Sequence, residues 1–283
     1  MRRSAALARL AAPAFCRPDQ PSRSSCEWYH GFWPYLRILG LASTPQRHAD
    51  FYRAAVADAA RSRAESRVLV CGSADYAMLA AVAGAGASGD VQHKFAVVDL
   101  CETPLLLCRW YAKLESIPLA TYAADIVQWT PEQPFDVACT HSLLPHFRPA
   151  ERAGVIAAWR RILRPGGRVV TVARVDPDWA PERVKFSREQ VEALVATVVE
   201  RARALQEPLD INAEELSRRA QAYAGRIESY PFESANGVAA LFESGGFRIE
   251  SLRLRTLEAG AGGVSGPTVR KAGPYAEIVA IRT

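Results

Sequence analysis

The chain has 283 residues, 49% hydrophobic and 23% charged, the mix of a folded globular protein and not of a disordered or collagen-like one. Its 35 Lys and Arg exceed its 30 Asp and Glu by five. Arg2, Arg3, Arg9, Arg17 and Arg23 face only Asp19 in the first 25 residues, so the remainder is near neutral and offers no basic stripe for nucleic acid. No run of 18 uncharged apolar residues occurs, and no membrane-spanning helix is expected.

Residues 1–25 read as a flexible leader. An alanine-rich run follows Met1-Arg2-Arg3 in the manner of a secretion signal, but Arg9 interrupts it and Pro13 ends it. Residues 26–66 read as mostly helical, aromatic first and alanine-rich from Phe51 to Ala64. From residue 67 strand and helix patterns alternate. Arg67 to Cys71 is a short apolar run closed by Gly72, the pattern of a buried parallel strand. A helix from Met78 to Ala85 follows, then a strand from Phe95 to Leu100 and a helix from Pro104 to Leu114. Ala120 to Ala124 and Phe135 to Thr140 are the third and fourth strands. Val155, Ile156, Trp159, Ile162 and Leu163 form the apolar stripe of an amphipathic helix, stopped by Arg164-Pro165-Gly166-Gly167 before a fifth strand at 168–175.

Residues 176–230 are longer than a plain crossover requires. Ser187-x-x-Gln190 is a capping box, and Asn212-x-x-Glu215 resembles a second. These helices read as an insert, a lid or a dimer surface. A helix from Ser234 to Ser244 and strands at 247–254 and 276–282 close the chain, joined by a Gly-rich link from Gly260 to Gly273.

Such alternation makes βαβ units and a parallel sheet with helices on both faces. Ligands of these sheets bind beyond the carboxyl ends of the strands, which directs attention to 72–76, 99–102, 125–129 and 140–146. Gly72 permits a tight turn and close ligand approach. Ala74 and Ala77 fill the later slots of a dinucleotide glycine fingerprint, so pyrophosphate is disfavoured. Asp99 at a strand end suits the two hydroxyls of a ribose, or else caps the next helix. Asp125 suits an exocyclic amine, or else forms a turn. The cysteines Cys16, Cys26, Cys71, Cys101, Cys108 and Cys139 contain no C-x-x-C pair. They read as buried free thiols in a reducing, cytoplasmic setting with no metal site.

The pieces RVLVCGSAD at 67–75, FAVVDL at 95–100, AAD at 123–125, FDVACTHSLLPHF at 135–147 and LRPGGRVVTV at 163–172 resemble, in order and spacing, the class I S-adenosylmethionine-dependent methyltransferases. The resemblance implies a Rossmann-like fold: a doubly wound, mostly parallel seven-stranded sheet in a cofactor-binding domain over 67–283. An N-terminal helical and aromatic cap at 26–66 and the helical insert at about 176–230 would complete the chain. It implies S-adenosylmethionine as cofactor. Gly72, Ser73, Ala74 and Asp75 would pass under its methionine part, and Asp99 would take the ribose hydroxyls. Leu100 and Ile126 would flank the adenine, Asp125 would meet its amine, and Thr140 would line the wall toward the substrate.

The implied activity is methyl transfer to an oxygen or nitrogen of a small molecule in specialised metabolism, by an enzyme that is a candidate homodimer. Val70, Ala74 and Tyr76 depart from the family pattern. They leave open a regulatory cofactor-binding protein, or an enzyme that uses the pocket for another reaction such as cyclisation. Candidate catalytic residues are His141 and His146 after the fourth strand. Tyr29 and His30 join them from the segment Trp28 to Tyr35, whose aromatics either enclose a planar or cationic substrate or pack as core.

Overall fold

The computed structural model describes residues 1–16, 25–61, 64–84, 91–179, 184–256 and 274–283. The Gly260–Gly273 link lies outside the described residues, as does Ala85, the expected last residue of the first crossover helix. The chain divides into two compact units.

The larger unit holds Thr44–Asp178, Tyr230–Thr256 and Pro274–Thr283. Its seven strands are β1 (Glu65–Cys71), β2 (Gln92–Asp99), β3 (Leu119–Ala123), β4 (Phe135–His141), β5 (Leu163–Arg174), β6 (Phe247–Thr256) and β7 (Pro274–Arg282), in the order β3-β2-β1-β4-β5-β7-β6. All pairings are parallel except those of β7, which is antiparallel to both β5 and β6. The doubly wound, seven-stranded expectation is what the chain forms. β4 lies at the centre with every residue from Phe135 to Thr140 buried, which accounts for its unbroken apolar run. β3 sits at an edge and is mostly exposed, hence its weaker composition. The strand order reverses between β1 and β4, the place where ligands of such sheets bind.

The crossover helices are α4 (Ala49–Ala60), α5 (Ala77–Ala83), α6 (Glu102–Leu114), α7 (Arg152–Ile162) and α10 (Ala235–Ser244). On α7 the residues Val155, Ile156, Trp159 and Ile162 are buried as the periodicity predicts. Leu163 belongs instead to the start of β5, where it pairs with Phe135. The Pro-Gly-Gly turn makes β5 longer at its beginning and shifts its register against β4. At Gly167 a Cβ would lie 2.8 Å from the Arg164 carbonyl, so only glycine fits.

The smaller unit holds Met1–Ser43 and the described residues of Trp179–Ser229. Its helices are α1 (Arg2–Phe15), α2 (Glu27–His30), α3 (Trp33–Ile38), α8 (Arg188–Arg203) and α9 (Ala213–Ala224). Three expectations are corrected here. Residues 2–15 are not a flexible leader: α1 runs through Pro13 and buries Ser4, Ala5, Ala8, Ala11 and Ala12. Its small side chains allow close helix packing, which outweighs the one backbone bond that proline removes. The 26–66 cap is not one piece, because the division falls between Ser43 and Thr44. The 176–230 segment is not an insert of the sheet domain alone: α8 and α9 share a core with α3, built on Phe32, Tyr35, Leu36, Leu194, Leu216 and Tyr223. Both expected N-caps hold, with Ser187 accepting from Gln190 N and Asn212 from Glu215 N.

The basic N-terminus is used internally. Arg2 donates to the carbonyls of Glu207 and Pro208 at 2.8 and 2.7 Å. Arg9 pairs with Asp210 at 3.1 Å, and Tyr35 donates to the same carboxylate at 2.9 Å. Desolvation, then the bond to Asp210, raises the Tyr35 hydroxyl pKa above its usual value.

Candidate active site

The site is built from loops at the carboxyl ends of β1, β2, the segment after β3, and β4. After β1, Gly72 takes φ +62°, and a Cβ there would meet Leu143 Cδ1 at 2.7 Å. Its N–H donates to Val98 O at 3.0 Å. Ser73 is buried and donates its amide to Asp99 Oδ2 at 2.7 Å, while its hydroxyl donates to the Asp75 carbonyl. Asp75 is buried and accepts the Ala77 amide at 2.7 Å, so its carboxylate braces the start of α5 from inside the loop. Ala74 is half-buried. Tyr76, the bulky departure from the family loop, is buried against α6, stacked on Tyr111 at 4.7 Å. The loop is therefore not obstructed by it.

After β2, Asp99 Oδ1 accepts the Cys101 amide at 2.8 Å. A turn bond ahead of α6 and the bracing of the first loop thus coexist in one carboxylate. Leu100 beside it is 53% exposed, unusual for a leucine adjoining a buried strand. After β3, Asp125 Oδ1 accepts the Val127 amide at 3.0 Å, the turn-forming arrangement, and Ile126 is half-buried against the sheet core.

The end of β4 is the most constrained part. Thr140 is 1% exposed, and its hydroxyl is buried without a hydrogen-bond partner. Ser142 has φ +52° and a buried, unpartnered hydroxyl, a strained placement of the kind that gathers at functional sites. Tyr52 on α4 donates its hydroxyl proton to the Thr140 carbonyl at 2.8 Å. That hydroxyl also lies 3.1 Å from His141 Nδ1. A carbonyl cannot donate, so the one phenolic proton is committed and His141 Nδ1–H must be the donor. The imidazole is thereby held in one tautomer, with the lone pair on Nε2. Burial, then the nearby His48, pushes its pKa down to about 3, so the ring is neutral at pH 7.

His146 lies in a 3-10 turn, Leu144–His146, and is exposed. Tyr29 and His30 belong to the smaller unit. There Tyr29 stacks on Trp33 at 5.3 Å and on Tyr223 at 6.0 Å, and His30 is buried edge-on to Tyr29. The aromatic segment thus packs in a helical core.

The structure also supplies residues that sequence reasoning passed over. His48 closes a 3-10 turn, Pro45–His48, four residues before Tyr52, and is fully buried. Its Nδ1 lies 2.7 Å from Oε1 of Glu277 on β7, itself 5% exposed. The sequence signal was two polar side chains four residues apart at the start of an alanine-rich helix, and one acid inside an apolar strand. Cys71 and Cys139 are buried, and desolvation raises Cys71 to about 12 and Cys139 well above its usual value. They pack as small apolar groups.

Residues 68–167 match a family of methyltransferase domains. No curated protein sequence matches the chain. Among solved structures, it is similar to a SAM-dependent methyltransferase of Methanosarcina mazei, with 16% identity, 78% of this chain and 93% of the other covered, and TM-score 0.50. It is similar to the N-methyltransferase NodS of Bradyrhizobium japonicum in complex with S-adenosylhomocysteine, with 14% identity, coverage 90% and 98%, and TM-score 0.52. It is also similar to the magnesium protoporphyrin IX methyltransferase ChlM of Synechocystis PCC 6803, with 9% identity, coverage 89% and 94%, and TM-score 0.51. No helix of the described residues is long and apolar enough to cross a membrane.

Proposed function

We propose, for a chain that carries a class I S-adenosylmethionine-dependent methyltransferase domain, methyl transfer to an oxygen or nitrogen of a small molecule, with His141 receiving the acceptor's proton. The observation that carries this reading is the Tyr52–His141 contact, which leaves a neutral imidazole with its lone pair on Nε2 at the end of β4. The near-neutral sheet domain suits a small acceptor of specialised metabolism in a cytoplasmic setting.

The residues present fit the cofactor. Asp99 would take the ribose hydroxyls from its place at the end of β2, Leu100 offers an exposed apolar face for a purine, and Thr140 and Ser142 hold buried hydroxyls lacking partners. Gly72, Ser73 and Ala74 would border its amino-acid part, and Asp125 with Ile126 its base. When bound, the cofactor supplies an already activated methyl group, so the protein's task is mainly alignment. His141 orients the acceptor and takes its proton at Nε2, a role that an oxygen nucleophile needs more than a neutral amine does.

Titration calorimetry with S-adenosylhomocysteine tests the cofactor half. We expect micromolar affinity, about −8 kcal/mol, weakened tenfold or more by Asp99→Ala. Wild type that does not bind overturns the reading. Wild type that binds but never releases S-adenosylhomocysteine from S-adenosylmethionine across an acceptor screen leaves a binding protein without transfer.

A further inference from the structure

Behind His141 stands a second buried imidazole that the alignment of cofactor and acceptor does not require. The His48 and His141 ring centroids are 5.5 Å apart. His48 Nδ1–H donates to Glu277 at 2.7 Å, while its Nε2 is buried with no hydrogen-bond partner. Two imidazoles and a carboxylate are thus gathered in the sheet domain's interior, from the α4 start, β4 and β7. The other groups facing this cluster are Tyr275 of β7, 5.6 Å from the His48 ring, Arg255 of β6, 3.5 Å from Glu277, and Arg47 of the same turn.

Glu277 is paired by His48 and by the half-exposed Arg255, but the unpartnered Nε2 of buried His48 is costly, and a merely structural position would be filled more cheaply by apolar side chains. The charge balance of the proposed reaction supplies a use. When His141 takes the acceptor's proton, an O–H or N–H bond breaks and an Nε2–H bond forms. With the cofactor bound, the acceptor's freed electron pair would bond the methyl as the S–CH3 bond breaks and its pair stays on sulfur, and the positive charge lost there would appear on the imidazole. That charge arises in a desolvated place and needs a counter-charge within a few ångströms.

We propose that Glu277, acting through His48, is that counter-charge: a positioning pair that raises the electron density available to His141 and stabilises its protonated form. Burial, opposed by Glu277, lowers the His48 pKa, so His48 rests neutral and the carboxylate's negative charge is met only by the half-exposed Arg255. Both it and Tyr52 reach His141 from one short stretch of chain, His48 to Tyr52.

The inference rests on the methyl-transfer reading for its purpose, but its test does not. The full-length protein, without cofactor, is treated with diethyl pyrocarbonate, which attacks the lone pair of neutral imidazoles. Modification of His141 and His146 is followed by peptide mass spectrometry. Glu277→Gln should slow His141 at least fivefold while exposed His146 reacts at the wild-type rate. A loosened structure would speed His141 instead, so reaction at or above the wild-type rate overturns the proposal. Should Glu277→Gln fail to fold, His48→Gln carries the same expectation. With an acceptor in hand, Glu277→Gln should also lower kcat at least tenfold, with KM and the S-adenosylhomocysteine Kd within twofold. Unchanged kcat in an active enzyme overturns the counter-charge role. A wild type that binds no cofactor refutes the methyl-transfer reading and leaves the carbethoxylation result standing.

Discussion

Replacing Tyr52 by Phe isolates one oxygen atom with two duties. The ring is fully buried, and Phe keeps its shape, so no cavity opens. What disappears is the donor to the Thr140 carbonyl at 2.8 Å and the acceptor for His141 Nδ1–H at 3.1 Å. Each buried group left without that bond costs about 1–3 kcal/mol, and no longer burying the phenol hydroxyl returns about 1 kcal/mol. With two such groups the net expected loss is about 1–5 kcal/mol. Urea unfolding followed by fluorescence and circular dichroism measures it as a lower midpoint at an unchanged slope. Imidazole nitrogen shifts should show His141 leaving its single tautomer, and turnover should fall at least tenfold with cofactor affinity retained. A stability change under about 0.5 kcal/mol, with His141 still wholly in the Nδ1–H form, would refute the assignment of donors and acceptors at this contact.

Asp99→Asn is an isostere that should behave badly even without ligand. Its amide nitrogen must face either the Ser73 or the Cys101 amide, two donors opposed, and urea unfolding should show a loss of about 1–3 kcal/mol. Asp136 accepts the Arg67 amide at 2.8 Å and Arg164 Nε at 2.6 Å and is itself buried. Asp136→Ala should therefore cost about 2–4 kcal/mol by the same measurement; less than about 0.5 kcal/mol would mean the bonds are solvent-replaceable. Stability should also fall in mild acid. Burial holds His48, His93 and His141 below their ordinary pKa, so below pH 6.5 the unfolded chain binds protons that the native one refuses. The stabilisation is complete above that pH and erodes on acidification, for His141 down to about pH 3, by at most about 1.4 kcal/mol per pH unit per histidine. Unfolding midpoints at pH 7.5 and 5.0 test this, and His141→Phe should flatten the slope; a wild-type midpoint that does not fall would contradict it.

Much of the sheet domain was legible in the sequence because its signals are local. A central parallel strand is apolar on both faces, so RVLVC and FDVACT announce themselves. The turn glycine, the strand-end Asp99 and the Leu-x-Pro-Gly-Gly stop are each set by backbone geometry within a few residues. The capping box at Ser187 and the N-cap at Asn212 were readable for the same reason. The first fifteen residues were not, because an alanine helix with an internal proline is marginal by propensity. It forms through Ala5 packing into the core of α3, α8 and α9, and through Arg2 and Arg9 bonding residues two hundred positions away.

The sequence by itself determined the strand–helix alternation and pointed to Gly72 to Tyr76, Asp99 and His141 as candidate site residues, since each rests on short-range pattern. Only the tertiary structure decided that the aromatic segment packs against Tyr223, that Tyr52 sets the tautomer of His141, and that Glu277 meets His48 across 229 positions of chain. The physical reason is separation along the chain. Periodicity and caps act over one or two turns, whereas a buried hydrogen bond between distant elements leaves no mark on either until the fold brings them together.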